Sequence, residues 1–587
     1  MPFQVSPGVN VTEVDLTTIV PAVATSVGAF VGHFAWGPAE EIVLVTNENE
    51  LATYFGRPNN NTAVDFMTAA NFLSYSNALQ VVRVANTASP GSKNAGETGT
   101  GATDNPLIKN DRDFESSIPT ANTFYARHPG NLGNELTVEV CDHPGDASDS
   151  SGFANWWPNT YFSGPPGTST WGTNMGVTGD ELHVAVIDSN TGAFSGTANS
   201  VLEIFPFLSK AQNGRDDNGN DNYFYNVINR KSQYLRVGTG TGIVEDTYGD
   251  MGIAGKDFGN VASGVVSTKL RGGEDGSNEN GYMGADEYTR GYDLFADADA
   301  VDVGLIISGQ GGRLSSAGEQ YTVQKYTHDN VALKRLDCVT FISPTRDTTV
   351  DQSTDAVKLT ETLKFRNTHT NINSSYAFMD SGWKYQYDKY NDTYRWVPLN
   401  ADVAGLVART DNQRDPWWSP AGYGRGQIKN VVKLAYNPAK AHRDSLYQAQ
   451  INPVVTFPGQ GTLLFGDKTQ QTRPSAFDRL NVRRLFIVLE KAISTAAKYS
   501  LFEFNDEFTR SQFRNMVEPF LRDIKGRRGI TDFKVVCDET NNPGSVIDRN
   551  EFVGDIYVKP ARSINFIQLN FVAVATGVDF SEVVGKF

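Results

Sequence analysis

The sequence predicts an α+β multidomain protein, with an inner α/β core formed by both chain ends and β-rich outer domains inserted between them. Three observations carry this. At 587 residues the chain is too long for one hydrophobic core, so roughly three or four domains are expected. Strand and helix signals alternate toward both ends. Between them, residues 89–300 are rich in Gly, Asn, Asp and Ser and carry only short apolar runs. The boundaries that follow are 1–22 (an N-terminal segment), 23–88 (the first core segment), 89–300 (inserted β-rich outer domains), 301–410 (an α/β segment), 411–565 (the C-terminal core segment) and 566–587 (a C-terminal segment).

At the N-terminus Val5, Val9, Val11 and Val14 alternate loosely around Pro7-Gly8. This predicts a short strand with no local hairpin partner. It pairs either at the edge of its own domain or with a distant edge. Val27 to Phe34 reads as a buried strand ended by Ala35-Trp36-Gly37-Pro38. Helices follow over 49–54 and 63–76, then a strand over 78–84. Residues 86–122 read as a loop or linker. A strand closes the stretch 124–141, and short strands are expected over 181–187 and 223–228. From Val301 strands over 301–308, 338–343 and 376–380 alternate with helices over 321–336 and 357–366, as in a mostly parallel sheet. Trp383 to Val397 reads as a hairpin turning at Asn391-Asp392. A helix is expected over 403–409, and the loop WWSPAGYGRG runs over 417–426.

The strongest pattern lies near the C-terminus. Ser475 with Asp478 three residues on predicts a capped helix start. Val482, Leu485, Phe486, Leu489, Ala492 and Ala496 then fall on one side at helical spacing. Arg479, Arg483, Arg484, Lys491 and Lys498 fall on the other, which predicts a basic outer face. A second helix begins between Asn505 and Thr509 and stops at Gly526, with Pro519 inside it. Strands are expected over 534–537, 551–558 and 565–574.

The formal net charge of −16 argues against nucleic acid as the main partner. From Arg473 to Gly529, however, twelve Lys/Arg stand against seven Asp/Glu, a local balance of +5. Such a patch on an acidic chain is either a solvated helix face or a surface for an acidic partner. Cys141, Cys338 and Cys537 are far apart in sequence and leave one over, which points to reduced thiols in a cytoplasm. No apolar run is long enough for a bilayer, and the N-terminus lacks a signal peptide's charged start.

No catalytic constellation emerges. Gly461 and Gly466 approach a phosphate loop, but Asp467 sits where the lysine belongs and would repel a phosphate. Gly309-Gln310-Gly311-Gly312 lacks the third glycine of a dinucleotide turn. Asp297, Asp299 and Asp302 lack the glycine and distal glutamate of a calcium loop; Asp216, Asp217 and Asp221, in NGRDDNGND, make a better oxygen-ligand cluster but read as a solvated turn. No metal, cofactor or enzyme activity is expected.

Eleven strings carry a family resemblance. They are SPGVNVTEVD (6–15), VGAFVGHFAWGP (27–38), LATYFG (51–56), LQVVRVA (79–85), ARHPGNLGNELTVEV (126–140), FGDKT (465–469), FDRLNVRRLF (477–486), KYSLFEFND (498–506), VVCDETNN (535–542), VIDRNEFV (546–553) and YVKPARSINFI (557–567). In this order they resemble the contractile tail sheath proteins of myophages. Between Thr87 and Ala300 the chain departs from that pattern over most of its length.

The resemblance implies a structural subunit, not an enzyme. Such subunits stack as six-fold rings around a tail tube, and the stack shortens to drive the tube through the host envelope for genome delivery. It implies arms at both ends that add strands to neighbours, with Val9, Val11 and Val14 in one and Phe566, Leu569 and Phe571 in the other. It implies that Arg479, Arg483, Arg484, Lys491 and Lys498 face the tube or a neighbouring subunit. The partners implied are further copies, the tail tube protein, and baseplate and tail terminator proteins, without nucleic acid or membrane insertion. The site of action is the virion tail, assembled in the host bacterial cytoplasm. Two alternatives stand beside this: a phage-derived bacterial contractile injection particle, and a nucleotide-binding α/β enzyme built on residues 304–313.

Overall fold

The computed structural model describes residues 25–87, 91–97, 105–143, 152–240, 244, 247–259, 264–276, 281–564 and 568. Val9, Val11, Val14, Phe566, Leu569, Phe571 and the strand expected over 565–574 lie outside the described residues, except for Gln568. The chain divides into two compact units at Tyr499/Ser500.

The larger unit begins with β1 (Gly28–Gly32), β2 (Ile42–Val45) and β3 (Leu79–Arg83). β1 and β3 run parallel, joined through the helix Ala63–Leu73, and β2 is antiparallel to β3. Every residue of β1 is buried. Its side chains alternate, Phe30 entering one apolar cluster while Ala29 and Val31 enter another. A strand apolar on both faces must lie inside a sheet covered on both sides.

The inserted region carries β4 (Phe124–Ala126), β5 (Leu136–Cys141), β6 (Glu181–Asp188), β7 (Val201–Ser209), β8 (Leu235–Val237) and β9 (Val265–Lys269). Four of these form an antiparallel sheet in the order β7-β6-β5-β9, and β4 pairs with β8. Val138, Val140, Val184 and Val186 line its buried face. The strand expected over 223–228 is instead the helix Phe224–Lys231. Phe224, Val227 and Ile228 are its buried residues, at positions i, i+3 and i+4, which is helical spacing. Arg83 ties the insertion to the core. Its buried guanidinium donates to the carbonyls of Phe34, Gly37 and Pro129.

The chain then returns to the first sheet with β10 (Leu305–Ile307), β11 (Val339–Ile342) and β12 (Ala377–Met379). The six strands lie in the order β12-β11-β10-β1-β3-β2, with β10 directly beside β1. Three strands of segment 301–410 therefore sit in the same sheet as β1. The reason is physical, since β1 needs a neighbour on each edge. β13 (Trp383–Asp388) and β14 (Thr393–Pro398) form the expected hairpin, and β15 (Lys433–Leu434) adds to β13. The helix Asn400–Gln413 and the pair β16 (Val454–Phe457) and β17 (Gly461–Leu464) follow. Val403, Leu406 and Val407, together with Leu480 and Ile487 from the helix Leu480–Ala497, close one face of the sheet. Both ends of the larger unit thus meet in one core, with the β-rich domain inserted between them.

The smaller unit contains the helix Glu507–Gly526 and the antiparallel pair β18 (Ile530–Val536) and β19 (Asp555–Pro560). Asp506 caps the helix by accepting from the Thr509 amide at 2.8 Å. Pro519 is accommodated inside it. Phe513 meets Phe552 edge-on at 5.5 Å. Asn542 clamps the loop by exchanging two hydrogen bonds with the Val553 backbone.

Candidate assembly surfaces

The spacing of Ser475 and Asp478 predicts that the basic helix starts at Ser475. Ser475 does cap a turn, its hydroxyl accepting from the Phe477 amide at 3.0 Å. That turn is the short 3-10 segment Ala476–Asp478, and the α-helix Leu480–Ala497 begins four residues later. The Leu480 amide instead finds the Asp467 carbonyl at 2.8 Å.

The basic outer face needs correction too. Arg483 and Arg484 are each about 5% exposed. Arg484 makes a two-pronged ion pair with Asp411, and Arg483 pairs with Glu490 at 3.2 Å. The Arg483 guanidinium also lies 4.5 Å from the Tyr376 ring centre and 4.7 Å from that of Phe477. Arg479 reaches Asp467 at 3.3 Å, and Lys491 holds Asp302 and, at 3.4 Å, Asp337. Lys498 stays largely exposed, 3.8 Å from Asp299. Each of the five cations therefore has a carboxylate partner within its own unit. Helical periodicity marks the face correctly, but carboxylates distant in sequence come to cover it.

Asp411 holds the first described residue of the chain. Its Oδ2 accepts from the Thr25 hydroxyl at 2.7 Å, while Arg484 Nη2 donates to the Thr25 carbonyl at 3.1 Å. The residues just before β1 are thus pinned to the last turn of Asn400–Gln413 and the second turn of Leu480–Ala497.

The phosphate-like strings are occupied by the chain itself. Asp467 binds Arg479 and accepts from the Ser419 hydroxyl at 3.0 Å, and Gly461 opens β17. In the glycine turn after β10, the Gly309 carbonyl accepts from Asn400 and the Gly312 carbonyl from Gln320. Gln310 donates to buried Asp65 at 2.8 Å. Asp216 accepts from the backbone of Asn218 and Asn220 and from the Asn220 side chain, which holds its carboxyl below the usual range. Among the described residues no His/Cys/Asp/Glu group is arranged to hold a metal. No helix among them is long and apolar enough to cross a membrane.

In the smaller unit, β18 and β19 pair only with each other among the described residues. A two-stranded sheet leaves a row of backbone donors and acceptors on each outer edge. Large apolar side chains are exposed in the same unit, among them Phe502, Phe504, Phe508 and Tyr557. Phe502 has φ 70°, an unusual backbone conformation for an aromatic residue.

Sequence reasoning does not find the buried pair Lys384–Asp402, 2.9 Å apart with both side chains fully enclosed. Eighteen residues separate the two, and no local pattern signals the pairing. It also weighs Asp299 and Asp302 only as a calcium-loop cluster, whereas they pair with Lys498 and Lys491.

Three family models cover most of the chain. They are the phage tail sheath protein central domain over 315–470, the phage tail sheath C-terminal domain over 472–573, and the tail sheath protein Gp18 domain III N-terminal region over 25–84. The tail sheath protein of Vibrio phage KVP40 is 38% identical, with 99% of each chain covered. That of Enterobacteria phage T4 is 37% identical over 99% of each chain. A crystal structure of a sheath tail protein from Listeria innocua shares the fold at a TM-score of 0.50 and 11% identity, covering 92% of this chain and 96% of that one. With relatives matched over nearly their whole length, this chain belongs to the phage tail sheath protein family.

Proposed function

We propose that the chain polymerises as stacked six-fold rings around a tail tube, and that the stack shortens to drive the tube through the host envelope. The observation that carries this reading is the β18–β19 sheet with two unpaired outer edges among the described residues. A two-stranded sheet is marginal alone and gains most from added strands. The arms holding Val9, Val11 and Val14, and Phe566, Leu569 and Phe571, would supply them to neighbouring copies. The Thr25–Asp411–Arg484 cluster supports this, because it fixes the point from which the N-terminal arm leaves the core.

Linked arms let core units slide and turn while connectivity is kept. The work comes from apolar surface buried during shortening, at roughly 25 cal/mol per Å². No nucleotide is consumed and no cofactor is used, a reading supported by the self-occupied glycine turns. Partners are further copies, the tube protein, and baseplate and terminator proteins. Assembly takes place in the host cytoplasm. Of the basic helix, Lys498 retains the exposure needed to meet an acidic tube, and the buried Arg483 and Arg484 serve the subunit itself. Negative-stain microscopy of the concentrated protein tests the reading. Hollow striated tubes are expected, and dispersed monomers at high concentration would contradict it.

A further inference from the structure

A groove of about 790 Å³ opens between the β13–β15 hairpin region and the β16–β17 pair. Arg409, Lys429 and Lys433 line it, with Asn437, Thr456 and Thr462 along its polar wall. None of the three cations has a carboxylate within ion-pairing distance among the described residues. The five cations of the Leu480–Ala497 region, by contrast, are all paired.

Each cation is held in place by neutral groups instead. Lys429 Nζ donates to the Ser74 carbonyl at 2.5 Å and lies 4.8 Å from the Tyr75 ring centre. Lys433 Nζ lies 5.0 Å from the Tyr385 ring centre and 5.6 Å from that of Trp396. The Arg409 guanidinium also sits over Tyr75, at 5.5 Å, and its Nε is enclosed without a hydrogen-bond partner. Aromatic faces fix a cation's position without neutralising it. Behind the groove the Tyr75 hydroxyl accepts from the Lys429 amide and donates to Asp402. Asp402 is paired with Lys384 and also attracts Lys429 at longer range, which leaves Arg409 and Lys433 as the uncompensated cations in front. The result is a concave positive site on a chain of net charge −16. Low-dielectric walls focus such a field on an incoming anion.

We propose that this groove receives an acidic segment of a neighbouring copy of the chain. The inference rests on the polymer reading above. Charge complementarity selects the occupant, because every copy carries a large excess of carboxylates. The groove's size suits several residues of extended chain, whereas a phosphate would fill only a small fraction of it.

The test uses the full-length protein, its Lys433→Gln variant and the Lys429→Gln/Lys433→Gln double variant. The Lys433 ammonium makes only ring contacts, so the single variant guards against misfolding, and thermal melts check both. A fluorescein-labelled ten-residue polyglutamate reads the groove directly. It should bind the wild type at least tenfold more tightly than the double variant, with an intermediate value for the single one. Raising salt from about 50 to 500 mM should abolish the difference. The concentration at which polymers form should rise at least fivefold in the double variant. Equal peptide binding in wild type and variants overturns the acid preference. Unchanged polymerisation of both variants overturns the interface. A wild type that binds the peptide but never polymerises overturns the polymer reading and the identity of the occupant, leaving the groove's acid preference standing.

Discussion

Arg484 and Asp411 form a buried ion pair in which Nη1 and Nη2 each lie 2.5 Å from one carboxylate oxygen. Their side chains are 6% and 5% exposed. The pair joins two helices and also grips Thr25, the first described residue of the chain. Arg484, which the sequence places on the outer basic face, is thus held in a joint inside the subunit.

Breaking that joint should be costly. Arg484→Met leaves the Asp411 carboxylate buried with only Thr25 as partner, so stability falls by about 3–5 kcal/mol. Arg484→Met/Asp411→Leu removes both charges and recovers most of the loss. Urea unfolding of the two variants gives both numbers. A single variant as stable as wild type would show that the pair is solvent-screened.

Gly312 has φ 87°, and a Cβ there would meet the Tyr288 ring at 2.7 Å. Tyr288 cannot yield, because its buried hydroxyl binds Asp65 and the Arg313 amide. Gly312→Ala should therefore cost roughly 2–3 kcal/mol and lower the melting temperature. Calorimetry checks this, and an unchanged melting temperature would contradict the packing.

Burial raises the Asp380 carboxyl to about 8. It accepts from the Ser343 hydroxyl and the Gly382 amide, and it faces buried Asp402. Folded protein holds this proton where unfolded protein has released it. Asp380 therefore contributes full stability below pH 3.8 and loses it as pH rises through about 8. His33 works in the opposite sense. Burial lowers it to about 4, so its contribution is present above 6.5 and lost as pH falls through about 4. Asp380→Asn should remove a slope of about 1.4 kcal/mol per pH unit between about pH 5 and 7. Denaturant titrations at several pH values measure it, and an identical slope in the variant would refute the assignment.

The three cysteines are unpaired and buried. Burial pushes the Cys141 and Cys338 thiols up to about 12. A thiol reagent at about pH 8 should label these two only as the protein unfolds, at least a hundredfold slower than in denaturant, because the thiolate is the reactive form. Fast labelling of the native protein would contradict their enclosure.

Much of the fold is legible because its signals are local. The continuous apolar character of Gly28–Gly32 announces a buried strand, and Asn391-Asp392 announces the hairpin turn. The Leu480–Ala497 helix shows in its periodicity. What stays hidden depends on partners far along the chain. Nothing near β1 says that β10 lies beside it, some 270 residues later. Nothing near Arg484 points to Asp411, and nothing near Lys491 points to Asp302. The helix Phe224–Lys231 escapes sequence reading for a different reason. It is short, and its aromatic start and β-branched centre read equally well as a strand.

The central claim is that copies of this chain complete one another through their ends. Electron microscopy of the purified protein with and without residues 1–15 tests it most directly. The account predicts striated hollow cylinders from the full chain, and folded but dispersed subunits from the shortened one. Shortened chains that stack into normal cylinders and contract on triggering would contradict it.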